Sequence, residues 1–257
     1  MKLTGRTALI TGGGSGIGLE LAERLVRAGN TVIVCGRSEA KLRAAQQRVP
    51  GLHVRVADVA SEPGRVQLIA DVVRDFPGFD LLVNNAGALH VMDLLRLDPA
   101  EALAQLRAEQ ATNFEGPVHL ALLALPHFQT RPSATLVNVT TGYIYAASAR
   151  TPAYSATKTA LHAFTQALRL QLRGTAIGVV EVVPPPVVSD MSAHYQGAKL
   201  TPEVFAARLW RGLRAGRDEV RIGISAPLHW FARFAPRLAL RAANPRSERF
   251  ALPLKAG

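Results

Sequence analysis

"ITGGGSGIGLELAERL", residues 10–25, joins an apolar, strand-like run to an amphipathic helical pattern through a cluster of glycines. Gly12, Gly16 and Gly18 have the spacing G-x-x-x-G-x-G, with Gly14, Ser15 and Ile17 among them. Glycine lets such a turn adopt tight backbone angles and approach a pyrophosphate closely. The helix that follows presents unpaired N–H groups and the positive end of its dipole to that anion. Alone, a glycine cluster is an ordinary tight turn. Between a first strand and a first helix it predicts dinucleotide binding.

The flanking sequence repeats the strand–helix theme. Residues 6–11, 31–35, 53–57, 80–85, 134–140, 178–183 and 219–224 read as strands, several apolar on both faces. Helical patterns lie near 16–28, 38–48, 62–75, 99–129, 154–172 and 203–214. This alternation predicts right-handed βαβ units and an α/β fold: a Rossmann-type, doubly wound parallel sheet of about seven strands. Neither a linker nor a repeat interrupts it. Residues 1–225 read as the dinucleotide-binding and catalytic part. Residues 226–257 read as a basic amphipathic extension of the same domain.

Composition narrows the class. The 257 residues are 48% hydrophobic, enough for a sizeable core. The longest apolar stretch, Val118–Leu125, is too short to span a bilayer and runs into Pro126. The N-terminus enters a strand pattern at once, with no signal-peptide pattern. A single cysteine, Cys35, rules out an internal disulfide and fits a cytoplasmic location. No cluster of His, Cys, Asp or Glu has metal-ligand spacing. Lys and Arg number 30 against 19 acids, a net charge of +11 that calls for an anionic partner. Nucleic acid is not that partner on this reading, because no dedicated motif or aromatic-interleaved basic stripe is present.

The end of the second strand bears on cofactor choice. An acid there holds the ribose 2′-hydroxyl of NAD in dinucleotide folds. Here the segment is "VIVCGRSEAKL", with Arg37 and Ser38 after Gly36 and no acid at 35 or 36. A guanidinium can clamp a 2′-phosphate with charge-assisted bonds. The expectation is NADP(H) in preference to NAD(H).

Together these features resemble the short-chain dehydrogenase/reductase family over residues 5–225. "TGGGSGIG" (11–18) is similar to its glycine loop, and Asp58-Val59 to its adenine-contacting pair. "NNAG" (84–87) matches the segment that ends the fourth strand against the cofactor, placing Asn85, Ala86 and Gly87 there. "NFEG" (113–116) resembles the N-x-x-G of its long helix, and Tyr154 to Lys158 its Y-x-x-x-K. Within the family, "MKLTGRTALITGGGSGIG" and "EVVPPPVVSDM" resemble the DltE-type oxidoreductases.

Two positions depart from the family pattern. The family's catalytic serine, 13 residues before the tyrosine, is Thr141 here. Threonine keeps the hydroxyl but stiffens χ1. Its neighbour Thr140 is the other candidate, and alternation along a strand lets only one of them face the site. After the sixth strand the family has Pro-Gly; this chain has Pro184-Pro185-Pro186. That should stiffen the loop over the nicotinamide, where Pro184 and Val187 are the expected contacts.

The resemblance implies the chemistry. Lys158 lies one helical turn from Tyr154, on the same face. A nearby ammonium favours the phenolate, lowering a tyrosine pKa from about 10. Tyr154 would then exchange a proton with a carbonyl or alcohol oxygen as hydride moves to or from its carbon. Thr141 would hydrogen-bond that oxygen. Lys158 would also hold the nicotinamide ribose, and Asn113 a water in the relay to Lys158. The expected pocket loops, 88–97, 141–150 and 185–202, carry no obvious charge clamp, which favours a mostly hydrophobic carbonyl or alcohol substrate. Tyr143 or Tyr145 is expected at the pocket. His90 reads as a loop residue, and His162 as interface or surface. An alternative is a redox-sensing NADP(H)-binding protein with little turnover, suggested by Thr141 and the triple proline.

Two expectations concern surfaces. The resemblance implies a homodimer through the helices at 99–129 and 154–172, where Ala160, Ala163, Phe164 and Ala167 recur at helical spacing. In residues 226–250, Trp230, Phe234 and Leu238 form one stripe and Arg233, Arg237 and Arg241 another, with Pro236 expected to kink or divide the helix. From Leu200 onward, eleven Lys and Arg face four acids. Such a segment either covers the core or a partner subunit with its aromatics, or makes peripheral contact with an anionic membrane.

Overall fold

A computed structural model describes residues 3–245. Seven strands form one parallel sheet: β1 (Thr7–Thr11), β2 (Thr31–Gly36), β3 (Leu52–Val56), β4 (Phe79–Asn84), β5 (Ala134–Val139), β6 (Ile177–Val183) and β7 (Glu219–Arg221). Their spatial order is β3-β2-β1-β4-β5-β6-β7. The helices are α1 (Gly16–Arg27), α2 (Glu39–Arg48), α3 (Glu62–Asp75), α4 (Pro99–Gln110), α5 (Gly116–Gln129), α6 (Pro152–Gln171), α7 (Pro202–Arg214), α8 (Ser225–Phe234) and α9 (Pro236–Ala243).

Strand alternation supplies both cores. Ala8 and Ile10 of β1, Val32 and Val34 of β2, and Leu81 and Val83 of β4 join one apolar cluster with Leu21 and Leu25 of α1 and Phe205 of α7. Leu9, Ile33, Cys35 and Leu82 point the other way, to a second cluster with Leu68 of α3, Phe128 of α5 and Leu168 of α6. Strands apolar on both faces are therefore buried on both faces. The chain reverses direction across the sheet between β1 and β4, and the strand C-termini there open a crevice.

Two elements depart from the sequence reading, and a third is divided where expected. The strand expected over 219–224 ends at Arg221, because Gly223 (φ +60°) turns the chain into α8. The single helix expected over 99–129 contains a wider π turn, Ala111–Glu115, between α4 and α5. The C-terminal helix is divided at Pro236: Ala235 sits at φ −137°, ψ 62°, outside the helical region that a following proline disfavours. Arg246, Arg249 and Lys255, counted in the basic extension, lie outside the described residues.

Candidate active site

The glycine turn is shaped by close approach. Gly12 has φ +65°, and a Cβ there would lie 2.9 Å from Ala86 Cα. A Cβ on Gly18 would lie 2.5 Å from the Gly12 carbonyl oxygen and 2.6 Å from Asn85 Nδ2. Asn85 Nδ2 donates to the carbonyls of Thr11 (3.0 Å) and Gly12 (3.2 Å), and Thr11 Oγ1 accepts from the N–H groups of Asn85 and Ala86. The end of β4 thus fixes the turn after β1. Ser15 at the N-cap of α1 makes no side-chain cap bond, and the first turn carries no acid. Its N–H groups remain available to an anion. This glycine cradle at an uncapped helix fits the pyrophosphate of a dinucleotide.

Gly14 lies against Leu42 of α2, so the cradle continues toward the end of β2. Arg37 is exposed there. Ser38 caps α2, its Oγ accepting from Lys41 N–H at 3.3 Å, and its hydroxyl proton stays free to donate. Lys41 Nζ lies 3.2 Å from Asp190 Oδ2, across from the loop that follows the three prolines. Lys41 was not singled out from sequence, because a lysine in the first turn of a surface helix carries no signal of its own. Asp58 Oδ1 accepts from Ala60 N–H at 2.9 Å, and Val59 is buried after β3.

A cavity of about 700 Å³ opens beside this cradle. Thr141, Tyr143 and Tyr154 form one wall; the prolines 184–186 and Val187 form another. Tyr154 is 8% exposed, and Tyr143 meets its ring edge-on at 6.4 Å. Thr140 points elsewhere: its hydroxyl donates to Glu181 Oε1 at 2.7 Å. Strand alternation therefore gives the cavity to Thr141. Tyr145 is also turned away, bonded to Glu219 and Arg221 and set against His229. The proline loop is pinned, with Gly142 N–H and Ser225 Oγ both donating to the Pro184 carbonyl.

Lys158 is 3% exposed, and its Nζ donates to the Val139 carbonyl at 2.9 Å. Burial lowers its pKa to about 8. Burial likewise raises the Tyr154 phenol above its ordinary value, with the Thr141 hydroxyl pulling it down and Glu109 adding to the rise. Lys158 Nζ lies 6.0 Å from the Tyr154 ring centre, and the expected ammonium-driven lowering is not seen in the protein alone, where desolvation sets the direction.

Asn113 sits fully buried in the π turn. Its Oδ1 accepts from Ala88 N–H at 2.8 Å, and its Nδ2 donates to the Ala88 carbonyl at 2.8 Å and to Thr157 Oγ1 at 3.2 Å. A Cβ on Gly87 would lie 3.4 Å from Asn113 Oδ1 and 3.9 Å from Lys158 Nζ, so these three residues converge. One turn earlier, Glu109 is fully buried; its Oε1 accepts from His90, whose ring Nδ1 lies 3.0 Å away, and its Oε2 has no hydrogen-bond partner. Glu109 was missed from sequence because its position on an otherwise exposed helix reads as solvated. His162, expected at an interface or the surface, instead lies 2.8 Å from both oxygens of buried Glu181, which raises its pKa.

The short chain dehydrogenase family model matches residues 6–199. The protein is a member of the short-chain dehydrogenase family. This short-chain dehydrogenase is 41% identical to the oxidoreductase DltE of Bacillus subtilis over 226 residues, 86% of this chain and 89% of that protein. It is similar to a short-chain dehydrogenase from Burkholderia cenocepacia solved in complex with NADP (TM-score 0.81, 26% identity, 94% and 98% of the two chains). A short-chain dehydrogenase/reductase from Burkholderia phymatum solved with NAD shares the fold at 17% identity (TM-score 0.82, 98% and 100%). The dehydrogenase binds a nicotinamide cofactor and carries out nicotinamide-dependent oxidoreduction of a small molecule. The described residues hold no group of acids, histidines or cysteines fit for a metal. They also hold no helix long and apolar enough to cross a membrane.

Proposed function

We propose that this dehydrogenase is an NADPH-dependent reductase of a mostly hydrophobic carbonyl compound, or catalyses the reverse, NADP-dependent oxidation of the alcohol, with Tyr154 as acid and base. The observation that carries the reading is the meeting of Thr141 and Tyr154 in the wall of a cavity with no Asp, Glu, Lys or Arg in its lining. Bound NADPH supplies the hydride. Tyr154, held as phenol by burial, gives its proton to the carbonyl oxygen, and Thr141 donates a hydrogen bond to that oxygen. The phenolate then regains a proton from the Lys158 side. Lys158 would also hold the nicotinamide ribose hydroxyls. The Asn113 side chain is already committed, so a relay water beside it would be held through the main chain of the π turn.

The glycine cradle, Asp58, Val59 and the Asn85–Gly87 segment would hold the rest of the dinucleotide, with Pro184 and Val187 over the nicotinamide. Arg37 and Ser38 would take the 2′-phosphate, with Lys41 beside them. The NADP complex of the 26% identical Burkholderia cenocepacia protein supports this preference. A homodimer through α4–α5 and α6 belongs to the same reading: Ala163 and Ala167 are exposed on α6, as are Leu103, Leu122 and Leu170 on these helices. So does a cytoplasmic location, since Cys35 is a buried thiol whose pKa is pushed up to about 12 and needs no oxidising compartment. The test is NADPH and NADH consumption across a panel of aliphatic, aromatic and charged ketones and aldehydes. Turnover of apolar members with NADPH is expected. Turnover confined to anionic substrates or to NADH would refute the assignment.

A further inference from the structure

The helices α8 and α9 carry large apolar side chains on the outside of the protein. Ser225 is the only buried residue of α8 and Ala239 the only one of α9. Trp230 is 57% exposed, Phe234 78% and Leu238 53%. The stripe predicted from sequence therefore does not cover the domain's own core. Trp230 and Phe234 stack with ring centres 6.2 Å apart. Single exposed apolar residues are ordinary, but a contiguous aromatic and aliphatic patch marks an interaction surface.

Charge identifies the occupant. Arg233, Arg237 and Arg241 are exposed in the same two helices, and no Asp or Glu lies between Ser225 and Pro245. None of the three arginines forms an ion pair among the described residues. A second copy docking here about a two-fold axis would bring like charges face to face. Nucleic acid would leave the aromatic patch uncovered. An anionic lipid surface satisfies both halves: headgroups for the guanidinium groups, the acyl boundary for Trp230, Phe234 and Leu238.

The patch also borders the mouth of the active-site cavity. Phe231 is exposed and lines that cavity. Asn244, just past α9, donates to the Ala147 carbonyl and accepts from Ala149 N–H; Met92 N–H donates to the Arg150 carbonyl. These bonds tie the 147–150 segment both to the end of α9 and to Met92, two residues before exposed Leu94 and Leu95. We infer that the α8–α9 hairpin docks the protein on an anionic bilayer, with the cavity mouth beside the lipid.

The test uses the full chain with Trp210→Phe, which leaves Trp230 as the sole tryptophan. It is mixed with phosphatidylglycerol/phosphatidylcholine vesicles and with phosphatidylcholine vesicles alone, at low and high salt. Binding to the anionic vesicles is expected, with a blue shift of Trp230 emission and quenching by brominated acyl chains. Arg233→Gln/Arg237→Gln/Arg241→Gln should weaken binding on the order of a hundredfold, about fivefold for each arginine. Phe234→Asp/Leu238→Asp should abolish it, with circular dichroism and NADPH binding unchanged. Absence of binding at low salt would overturn the inference, as would binding that survives both variants. Acrylamide shielding of Trp230 without lipid, or an oligomer dissolved by Phe234→Asp/Leu238→Asp, would assign the patch to the chain itself or to a second copy and equally overturn it. None of these readouts depends on the proposed substrate or on turnover.

Discussion

Asn113 Nδ2 donates to Thr157 Oγ1 at 3.2 Å, and this bond ties the π turn to the helix that carries Tyr154 and Lys158. The same amide clamps Ala88, just beyond the strand end that faces the glycine cradle. Asn113→Ala should therefore cost more than a relay group. It would remove both bonds to the half-buried Ala88 backbone, each worth about 0.5–1.5 kcal/mol, and let the loop after β4 drift. Both stability and turnover should fall in this variant. A fully stable Asn113→Ala enzyme, slow only in turnover, would contradict the clamp.

Lys158 makes a prediction with a definite sign. Its pKa is about 8 in the folded chain against 10.5 ordinarily, so the unfolded chain holds its proton over that interval and stability rises with pH there. Below pH 8 the full cost of burying the charge is present, about 3 kcal/mol for a shift of this size. Lys158→Met removes that cost and loses the bond to Val139, worth about 1 kcal/mol. The variant should be inactive yet about 2 kcal/mol more stable at pH 7. Its advantage should disappear above pH 10.5. Urea unfolding at the two pH values measures this, and a less stable variant at pH 7 would contradict it.

Much of this site was legible because its signals are local. The glycine spacing, "NNAG" and the Tyr154–Lys158 pair lie within single turns, and β-strand alternation separates Thr141 from Thr140. What stayed hidden depends on tertiary approach. The π turn at Asn113 leaves the helical period nearly intact over neighbouring residues. Glu109 is buried beneath the loop carrying His90, whose backbone N–H donates to it. The C-terminal helices read as an extension covering the core, a partner subunit or a membrane, and not as cavity wall, yet Leu228, Phe231 and Ala242 line the cavity. That placement follows from Gly223 ending β7 early, a choice of backbone angle that apolar periodicity does not register.

Thr141 and Thr140 give a paired prediction. Thr141→Ala should lower kcat on the order of 10²–10³-fold, the scale for one oxyanion donor. Thr141→Ser should retain the activity. Thr140→Ala removes the donor to buried Glu181 and should lower stability by about 1–3 kcal/mol while sparing catalysis. Steady-state kinetics beside thermal unfolding separates them; the reverse pattern would exchange their roles.

Arg37→Ala should weaken NADPH by about 1.5–3 kcal/mol and leave NADH nearly unchanged, since only NADPH carries the 2′-phosphate. Lys41→Ala should act in the same direction more weakly, because Asp190 already pairs with it. Fluorescence titration with both cofactors reads the difference. Equal weakening of the two would remove Arg37 as the discriminator.

For assembly, Ala163→Glu/Ala167→Glu sets charges on the exposed face of α6, four residues apart. Light scattering should report a dimer for the parent chain and a monomer for this variant. A monomeric parent at micromolar concentration would contradict the proposed interface.

The role of Tyr154 is tested most directly by single-turnover oxidation of NADPH with an apolar ketone, comparing the parent chain with Tyr154→Phe. The aromatic ring and the glycine cradle stay in place, so NADPH affinity should be unchanged. The hydride-transfer rate should fall by at least about 10²–10⁴-fold, the contribution of a positioned proton donor. Equal rates at equal NADPH occupancy would contradict Tyr154 as the acid and, with it, this account of the site.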